Sequence, residues 1–580
     1  MRTLCALGLC LALLPCAAQA ASSVTDIATY DAAVLAAKTT RAEIPLSGKS
    51  PIVFSARALP ADVVKLTFTT PDGPVLLQGG GVNGRLLHTQ VEDATLDFTG
   101  SAPITFTSFR HHGRDNIKEE GWGGAFYAAN GLVLNSSNPL IFLGNLAKGG
   151  DSSGGSTSHS SGQGGAFCVD GRLEAGGAGP FLFFGNTALA GTAGTAGSVE
   201  NSGQGGAIYA EKGMYLMSGS WIFTGNLAQG TDGQSLKSEA YDSGYGGALN
   251  STCELILAPR GNYAFVGNRA MGGKASLSGD CDASGQGGAV YCVDNMEIHN
   301  GVFLLNMAGT TNSGDMSSGV GGGVYHEAFG NDYTITLKAN RDNPIFFAGN
   351  THNPGGKGAV LNSFYFGNTT DESTSHTTFV VDCESGATAV LLDPIAGQPE
   401  GTAGKKPADK IMDVAVSVHK IGPGLWVLGG DNRMAGPTDW RVEAGTLRLT
   451  RDAFGGTSRI TLTSKLAADF TVAKSAVLEV TPWEEPATVT ASSIELAAGS
   501  AVRLADAPYQ AVLRTDSPVV LLRLEALAGK PAVNAQLPET SGTVSVGGKK
   551  YAYRDLAWKT DGNKAELSCV FAEADSGVKN

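Results

Sequence analysis

Acidic side chains recur at a similar place in three units of this sequence. Asp170 and Glu211 each lie six residues after the start of a Gly-Gly pair, and Asp294 lies seven residues after another. Carboxylates that meet on neighbouring turns of a repetitive fold could act as the acid and the base that cleave a polysaccharide. The same row could hold calcium, although the nonapeptide calcium repeat is missing from the sequence. A solvated turn explains the row more simply than either chemistry.

The histidines offer a second candidate site. His111 and His112 are the only adjacent pair among the nine histidines, and Arg110, Arg114 and Asp115 surround them. Such a cluster could hold a metal ion or take part in catalysis, but a polar loop is the simpler interpretation. The sequence has no His-Glu-x-x-His motif and no phosphate-binding loop of the Walker type. It therefore identifies no catalytic residue, no metal ligand and no cofactor.

Two motifs alternate through the middle of the chain with a fixed period. Gly-Gly-Ala begins at five positions that are 41 residues apart, and a related Gly-Gly-Gly-Val follows 34 residues after the last of them. These positions are Gly123, Gly164, Gly205, Gly246, Gly287 and Gly321. Phe-x-x-Asn is interleaved with them at Phe142/Asn145, Phe183/Asn186, Phe223/Asn226, Phe265/Asn268, Phe303/Asn306 and Phe347/Asn350. A period of 41 residues over five units, with a sixth unit after a shorter step, predicts a protein that is built from small stacked repeats.

The glycines and the short apolar runs indicate which type of repeat fold the chain forms. Each glycine costs about 1 kcal/mol in a helix interior, which excludes a helical repeat. A β-propeller blade competes by length, but the Trp-Asp signature of such blades is missing from the sequence. The two motifs divide the period into halves, so we expect turns of about 20 residues that stack about 4.8 Å apart. The sequence therefore predicts an all-β fold, a right-handed parallel β-helix (solenoid).

The repeated residues have structural roles in such a β-helix. The six phenylalanines are expected to stack as an inward ladder that carries much of the apolar burial. The six asparagines are expected to form a second ladder at a corner, where their amides bond to one another and to the turn backbone. Binding of a ligand by the asparagines is the alternative. Gly/Ser-rich stretches between units, such as 149–162, are expected to form flexible loops on one face.

The composition and the first residues indicate an exported protein. The chain has 580 residues, of which 42% are hydrophobic and 16% are charged, and its formal net charge is −13. Such an acidic chain is a poor partner for nucleic acid. An apolar run over 4–16 and the cleavage site Ala18-Gln19-Ala20 predict a signal peptide over 1–20, with a lipoprotein anchor on Cys16 as the alternative. No second apolar run is long enough for a transmembrane helix in the mature chain.

Cysteines that follow the signal peptide could form disulfides in an exported protein. Cys281 and Cys292 flank a Gly-rich turn and are the first candidate pair. The six cysteines beyond residue 20 allow 15 connectivities, and small buried thiols with one or two disulfides are the simpler interpretation.

The sequence divides into five segments. After the signal peptide, residues 21–50 are expected to form an N-terminal cap, with a helix over 25–38 that begins at an N-cap Thr25. The repeats belong to a β-helix over 51–370. A loop-rich boundary at 371–412 precedes C-terminal β-helix turns over 413–580. The cap helix would cover the open edge of the first turn, which otherwise invites aggregation.

Two stretches resemble known passenger domains. The alternation of Gly-Gly-Ala-Ile at 205–208 with Phe-Thr-Gly-Asn at 223–226 resembles the passenger of the chlamydial polymorphic outer-membrane proteins, over residues 105–370. Residues 420–450 resemble the passenger repeat of autotransporters. The matching positions are Lys420, Gly422, Gly424, Leu425, Gly430, Asn432, Gly436, Thr438 and Ala444-Gly445-Thr446-Leu447.

This resemblance implies a signal peptide, a β-helical passenger, a C-terminal barrel and, in many members, adhesion. Only 50 residues follow Lys530, too few for a barrel, so we expect a passenger without its own translocator. A separate outer-membrane translocator is the partner that this implies. We expect a protein of the outer-membrane surface or the extracellular space, or of the periplasm if there is no translocator.

The expected function is adhesin-like binding to a host or glycan surface, without enzymatic activity. A carbohydrate-active β-helix enzyme and a passive structural surface protein are the alternatives. Three or more acidic or basic side chains on adjacent turns of a cleft would favour the enzyme. Exposed aromatic side chains would favour glycan or host binding.

Overall fold

The chain folds into a parallel β-solenoid, in which strands of successive coils lie side by side. A computed structural model describes residues 24–574 except 36–40, 49–50, 56–62, 71–72, 82, 118–119, 153–156, 160, 193–197, 232–238, 241–242, 274–283, 311–317, 329–330, 368–374, 398–414, 435, 437, 457, 463–467 and 510–512. In each coil the chain passes along three walls that enclose an apolar core. The predicted signal peptide, residues 1–20, lies outside the described residues.

Walls one and two belong to one sheet of 27 described strands. Two strands, Met214–Thr224 and Leu255–Val266, run through both walls without a break. The other strands of wall one are Arg41–Pro45, Lys65–Thr69, Ala94–Thr99, Leu132–Ser136, Leu173–Gly177, Met296–Ile298, Asp332–Ala339, His376–Cys383, Ala415–Ile421, Thr438–Val442, Ala468–Val472, Ser493–Leu496 and Ala532–Val533. The other strands of wall two are Ile52–Phe54, Val75–Gly79, Ile104–Thr107, Leu140–Leu143, Phe181–Phe184, Gly301–Leu304, Ile345–Ala348, Thr388–Leu391, Leu425–Leu428, Thr446–Leu449, Val477–Val480 and Ala501–Leu504.

Wall three and two smaller sheets complete the coils. The 16 described strands of wall three are Leu87–Thr89, Phe126–Ala128, Phe167–Val169, Ile208–Ala210, Leu249–Ser251, Val290–Cys292, Val324–Glu327, Phe364–Gly367, Ile395–Gly397, Asp431–Met434, Arg459–Leu462, Ala487–Ala491, Pro518–Ala526, Gly542–Val546, Lys549–Asp561 and Lys564–Glu573. A corner sheet follows wall two, with the strands Asn83–Gly84, Arg110–His112, Leu146–Lys148, Thr187–Leu189, Leu227–Gln229, Arg269–Met271, Met307–Gly309, Thr351–Asn353 and Val360–Leu361. The Gly/Ser-rich loops, expected to be flexible, contain a small parallel sheet of Thr157–His159, Ser198–Glu200 and Glu239–Ala240.

One coil of the repeat region contains a full period of the sequence. Phe126 pairs with Phe167 on wall three, and Phe142 pairs with Phe183 on wall two, so each wall returns after 41 residues. The expected turn of half that length was wrong, because Gly-Gly-Ala and Phe-x-x-Asn lie on different walls of the same coil. Coils become shorter downstream, where Trp426 pairs with Leu447.

The phenylalanines of wall two form a continuous stack in the core. Consecutive centroids lie 4.2–4.9 Å apart and the rings are nearly parallel. The stack contains Phe142, Phe183, Phe223, Phe265, Phe303 and Phe347. Phe106, which is followed by Phe109 and not by Asn, extends it at 4.6 Å from Phe142. Since every ring is buried, the stack contributes much of the hydrophobic stabilisation of these coils.

The two glycines of each Gly-Gly pair have different roles. Gly205, the first of its pair, has a φ of 67°, in the left-handed region that favours glycine. Gly206, the second, lies where wall three passes the corner sheet. A Cβ there would lie 2.0 Å from the Gly247 carbonyl oxygen and within 3 Å of the Leu227 backbone. The pair therefore combines a left-handed turn with a close approach of two backbones.

An N-terminal helix covers the first coil. The helix Ile27–Leu35 packs on the solenoid, and the Tyr30 ring meets Phe54 edge-on at 5.0 Å. Its N-cap is Asp26, whereas the sequence predicted Thr25. Asp26 Oδ1 accepts the N–H of Thr29 at 2.8 Å, and Thr29 Oγ1 accepts the N–H of Asp26 at 3.1 Å. Within the described ranges, no helix has the length and apolar character needed to cross a membrane.

The C-terminal half departs from the predicted segments at two places. Residues 376–397, part of the predicted boundary, form a coil whose strands pair in parallel with the coils on both sides. The β-helix turns predicted over 413–580 do not continue to the last described strands. Pro518–Ala526 pairs antiparallel with Lys564–Glu573, which pairs antiparallel with Lys549–Asp561. These hairpin strands are part of the same chain and pair with the last parallel strand of wall three, whose edge would otherwise be open.

Lys420, the first residue of the autotransporter-like repeat, holds a turn at the end of a wall-one strand. Its Nζ donates to the carbonyl oxygens of Ile421, Gly422 and Ala444 at 2.5–3.2 Å. The residue is fully buried, and this burial lowers the pKa of the ammonium group. The lysine of the motif therefore has a structural role, because it satisfies carbonyl groups that the turn leaves without strand partners.

Substitutions of two glycines distinguish the effect of close approach between two backbones from the effect of a left-handed backbone conformation. We expect Gly206→Ala to destabilise the protein by more than about 4 kcal/mol, since its Cβ would overlap with backbone on the next coil. Gly225→Ala is the control, because Gly225 has a φ of 61° but nothing within 4 Å of its Cβ position. It should cost only about 1–2 kcal/mol. Urea unfolding followed by circular dichroism measures both, and equal losses would contradict this role of the second glycine.

Candidate functional site

The six motif asparagines form one buried ladder at the corner that follows wall two. From Asn186 onward, each Oδ1 accepts both the side-chain amide, at 2.8–3.0 Å, and the backbone N–H of the previous rung, whereas Asn145 Oδ1 accepts the N–H of Phe109. Each of the six Nδ2 atoms also donates to a phenylalanine carbonyl, as Asn145 does to Phe106 at 3.2 Å and Asn186 to Phe142 at 3.0 Å. The rungs are Asn145, Asn186, Asn226, Asn268, Asn306 and Asn350. Because these amides are buried and bonded within the protein, the geometry favours a structural role over ligand binding.

Asp393 ends the ladder with a carboxylate. Its Oδ2 accepts the backbone and side-chain N–H groups of Asn350, and its Oδ1 accepts the N–H of Gly349, each at 2.8 Å. Burial outweighs these three donors and raises the pKa of Asp393 to about 6. Sequence reasoning missed this residue because it lies in Leu-Leu-Asp-Pro and not in Phe-x-x-Asn. Its place one coil after Asn350 is the signal that could have found it.

Two further rows were also missed. Ser161 and Ser202 hydroxyl oxygens lie 3.0 Å apart, and Gln163 Nε2 donates to Gln204 Oε1 at 3.3 Å. On the outer side of wall three, buried tyrosine rings stack with centroids 4.4–5.9 Å apart. They belong to Tyr245, Tyr291, Tyr325 and Tyr365. Recurrence of Ser-Gly-Gln before the Gly-Gly pair was the sequence signal for the first of these rows.

In the predicted acidic row, Asp170 and Asp294 accept hydrogen bonds with their carboxylates, and Glu211 does so with its backbone carbonyl oxygen. Asp170 Oδ2 accepts the hydroxyl of Tyr127 at 2.6 Å. The Glu211 carbonyl oxygen accepts the hydroxyl of Thr252 at 2.6 Å, and Asp294 Oδ1 accepts a neighbouring backbone N–H. Among the residues that the structure describes, no three His, Cys, Asp or Glu side chains lie close enough together for a metal ion.

His111 and His112 lie on the corner strand Arg110–His112, and not on the predicted polar loop. Burial, together with the charges of Arg85 and the neighbouring His88, lowers the pKa of His111 to about 3. Its imidazole is therefore neutral at physiological pH. Parallel pairing of His111 with Ala147 and of His112 with Lys148 places the two histidines in the corner sheet of the first coils.

The predicted disulfide is described only at one of its two ends. Cys292 is a buried thiol whose Sγ lies 3.3 Å from the carbonyl oxygen of Cys253. Cys281 lies outside the described residues, so this pairing stays a prediction. Burial raises the pKa of Cys383 to about 11 and of Cys569 to about 12, so these two thiols are protonated and unreactive near neutral pH.

A charged triad lies on adjacent coils of wall two. Glu479 is nearly fully buried, and its two carboxylate oxygens accept Arg448 Nε at 2.7 Å and Arg503 Nε at 2.6 Å. A catalytic acid or base needs a carboxylate that can reach a substrate proton. Both oxygens of Glu479 are already bonded to guanidinium groups, so the triad fits an ion pair that joins three coils.

The side chains best placed to meet a ligand follow wall two in three C-terminal coils. Phe454 is the most exposed large apolar side chain of the described residues, at 71%. Trp483 and Tyr509 follow the next two strands, and their rings meet edge-on at 5.3 Å. The Arg451 guanidinium lies 3.5 Å from the centre of the Trp483 ring and 4.8 Å from that of Tyr509. We call these four residues the aromatic corner.

Hydrogen bonds hold the loop that presents Phe454. Asp452 Oδ1 accepts the N–H groups of Phe454 and Gly456 at 2.9 and 2.7 Å. The Arg451 guanidinium donates twice to the Gly455 carbonyl oxygen, at 3.0 and 2.7 Å. A loop whose backbone is already held in place loses less conformational entropy when a ligand binds.

An exposed aromatic surface beside a guanidinium group suits a sugar ring. The face of an aromatic ring carries negative partial charge, and the C–H groups on the flat side of a sugar are its natural partners. Guanidinium donors can bond to sugar hydroxyl or carboxylate oxygens. Sequence reasoning missed the aromatic corner, because its residues belong to no repeated motif.

Comparison of the chain with family models, with curated proteins and with solved structures finds no match.

Asp393 should make stability depend on pH. Its pKa is raised to about 6 in the folded state, so the folded chain binds a proton more tightly than the unfolded chain does. The resulting stabilisation is complete below pH 4 and is lost as the pH rises through 6, a change of about 3 kcal/mol. Asp393→Asn, which keeps one acceptor oxygen, should remove this dependence.

The measurement is the difference in unfolding free energy between wild type and Asp393→Asn across this pH range. Glu92→Gln, which alters an exposed carboxylate, controls for the general effect of charge. A difference between wild type and Asp393→Asn that does not change with pH would contradict the assignment.

Proposed function

We propose that the chain is an exported, adhesin-like binding protein whose solenoid presents the aromatic corner to a glycan on a host surface. The observation that carries this proposal is the exposed Phe454 on a loop held by Arg451, whose guanidinium stacks on Trp483 next to Tyr509. Binding proteins use exposed aromatic and arginine side chains as the centres of their contact surfaces. A rigid scaffold with ligand-binding loops is also the usual arrangement of function in such folds.

We also propose where the chain is exported to and in which sense its coils wind. The signal peptide over 1–20 would export it, and a separate outer-membrane translocator would carry it to the surface or the extracellular space. Without such a translocator the chain would stay in the periplasm. The coils would wind in a right-handed sense, because crossovers between parallel strands are almost always right-handed. Resemblance of residues 105–370 and 420–450 to autotransporter passengers supports both parts.

The aromatic corner should determine binding to glycans. A glycan array probed with residues 21–580 identifies the strongest sugar ligand, and biolayer interferometry then measures its Kd. We expect Phe454→Ala/Trp483→Ala to raise this Kd at least about tenfold, since stacking on each ring contributes about 1 kcal/mol.

Leu305→Ala is the matched control, because Leu305 is an exposed apolar side chain, 63% accessible, outside the aromatic corner. It should leave the Kd unchanged. Equal binding by wild type and the double variant would assign the glycan to another surface, and no binding to the array would remove the proposed ligand class.

A further inference from the structure

Wall two has an apolar outer face over eight consecutive coils. On a wall with one solvated face, inward apolar residues alternate with outward polar residues. Here the strands read Leu-Ile-Phe-Leu, Phe-Leu-Phe-Phe, Trp-Ile-Phe-Thr, Tyr-Ala-Phe-Val, Gly-Val-Phe-Leu, Ile-Phe-Phe-Ala, Thr-Ala-Val-Leu and Leu-Trp-Val-Leu. Continuous apolar runs are typical of parallel strands that are covered on both faces.

The outward side chains of these strands align in two columns. The pairing register stacks one column along the axis as Ile141, Leu182, Ile222, Ala264, Val302, Phe346, Val390 and Val427. The second column contains Leu143, Phe184, Thr224, Val266, Leu304 and Ala348. All are partly or largely exposed, and Thr224 is the one polar member. We call these two columns the apolar stripe.

The stripe differs from its surroundings. Upstream it ends at Thr105 and Thr107, and downstream its next rung is Arg448 of the charged triad. The outer face of wall one in the same coils carries charged groups, such as Glu297, which accepts Lys338 Nζ at 3.1 Å. A chain with a net charge of −13 therefore concentrates an uncharged surface on one wall. Contiguous apolar patches of this kind mark interaction sites.

We propose that the apolar stripe binds the same stripe of a second copy of this chain. Strands spaced about 4.8 Å apart make the first column of the stripe about 34 Å long and the second about 24 Å long, and each column is about 6.6 Å wide. Two copies would thus cover about 760 Å² as a flat projection, and side-chain corrugation raises this area towards the ~1,000 Å² of a small specific interface. The stripe repeats at the spacing of the coils, and a second copy matches that repeat at every rung. A two-fold axis through the middle of the stripe closes the dimer and leaves its polar ends at the rim.

The test is the mass of residues 21–580 in sedimentation velocity over a micromolar concentration range. Wild type should be a dimer, and Ile222→Arg, at the third of the eight rungs and near the middle of the stripe, should raise the dimer Kd at least about 30-fold, as substitutions close to the centre of an interface do. Ile256→Arg is the matched control, because Ile256 points outward from wall one on the strand Leu255–Val266. It should leave the dimer intact. Circular dichroism and thermal unfolding show whether both variants fold.

If Ile222→Arg does not fold, chemical cross-linking tests the dimer instead. Ala264→Cys should give a cross-linked dimer with a short bismaleimide, and Ile256→Cys should not. A monomer at all concentrations would overturn the proposal. A monomer that floats with phosphatidylcholine vesicles would overturn it in favour of a lipid surface. A dimer that Ile222→Arg leaves intact would place the interface elsewhere.

Discussion

Parallel backbone hydrogen bonds fix the distance between successive coils, and the rest of this structure depends on that distance. At about 4.8 Å, a side chain lies against the side chain one period later in the sequence. Flat rings stack well at this spacing, and so do amides, which donate on one side and accept on the other. Like charges at this spacing repel one another. The interior is therefore a stack of rings, and the corner is a row of asparagines. The low share of charged residues follows from the same constraint.

The sequence predicted the repeated residues better than it predicted the coil. Types and spacing were enough to place the phenylalanines inward and the asparagines at a corner, since few other residues stack well on themselves. Residue types and spacing did not determine how many walls one period contains, because a period counts residues along the chain and does not say where the chain turns. Residues 376–397 were predicted as a boundary because the Pro-, Gly- and Lys-rich stretch beside them outweighed their alternating strands. Asp393 could not be found by its type, since a carboxylate is not expected to end a row of amides.

The aromatic corner lies where the repeat has ended. In the upstream coils the position after wall two belongs to the corner sheet, whose last described strand is Val360–Leu361. The downstream coils are shorter, and the same position is free to carry loops such as the one that presents Phe454. A residue at a position that does not repeat does not have to pack against an identical side chain on the next coil, so its side chain is free to contact a ligand. A search for repeated residues finds the scaffold and passes over such a site.

The period of 41 residues also bears on how such a gene changes. Removal or duplication of one whole period leaves every rung with an equivalent neighbour, whereas removal of half a period would bring a phenylalanine against a Gly-Gly turn. Recombination between similar stretches of DNA produces changes of that whole-period kind. Such a gene can therefore lengthen or shorten its product in steps of about 4.8 Å without disturbing the loops that follow. The length of the solenoid becomes a trait that selection can adjust.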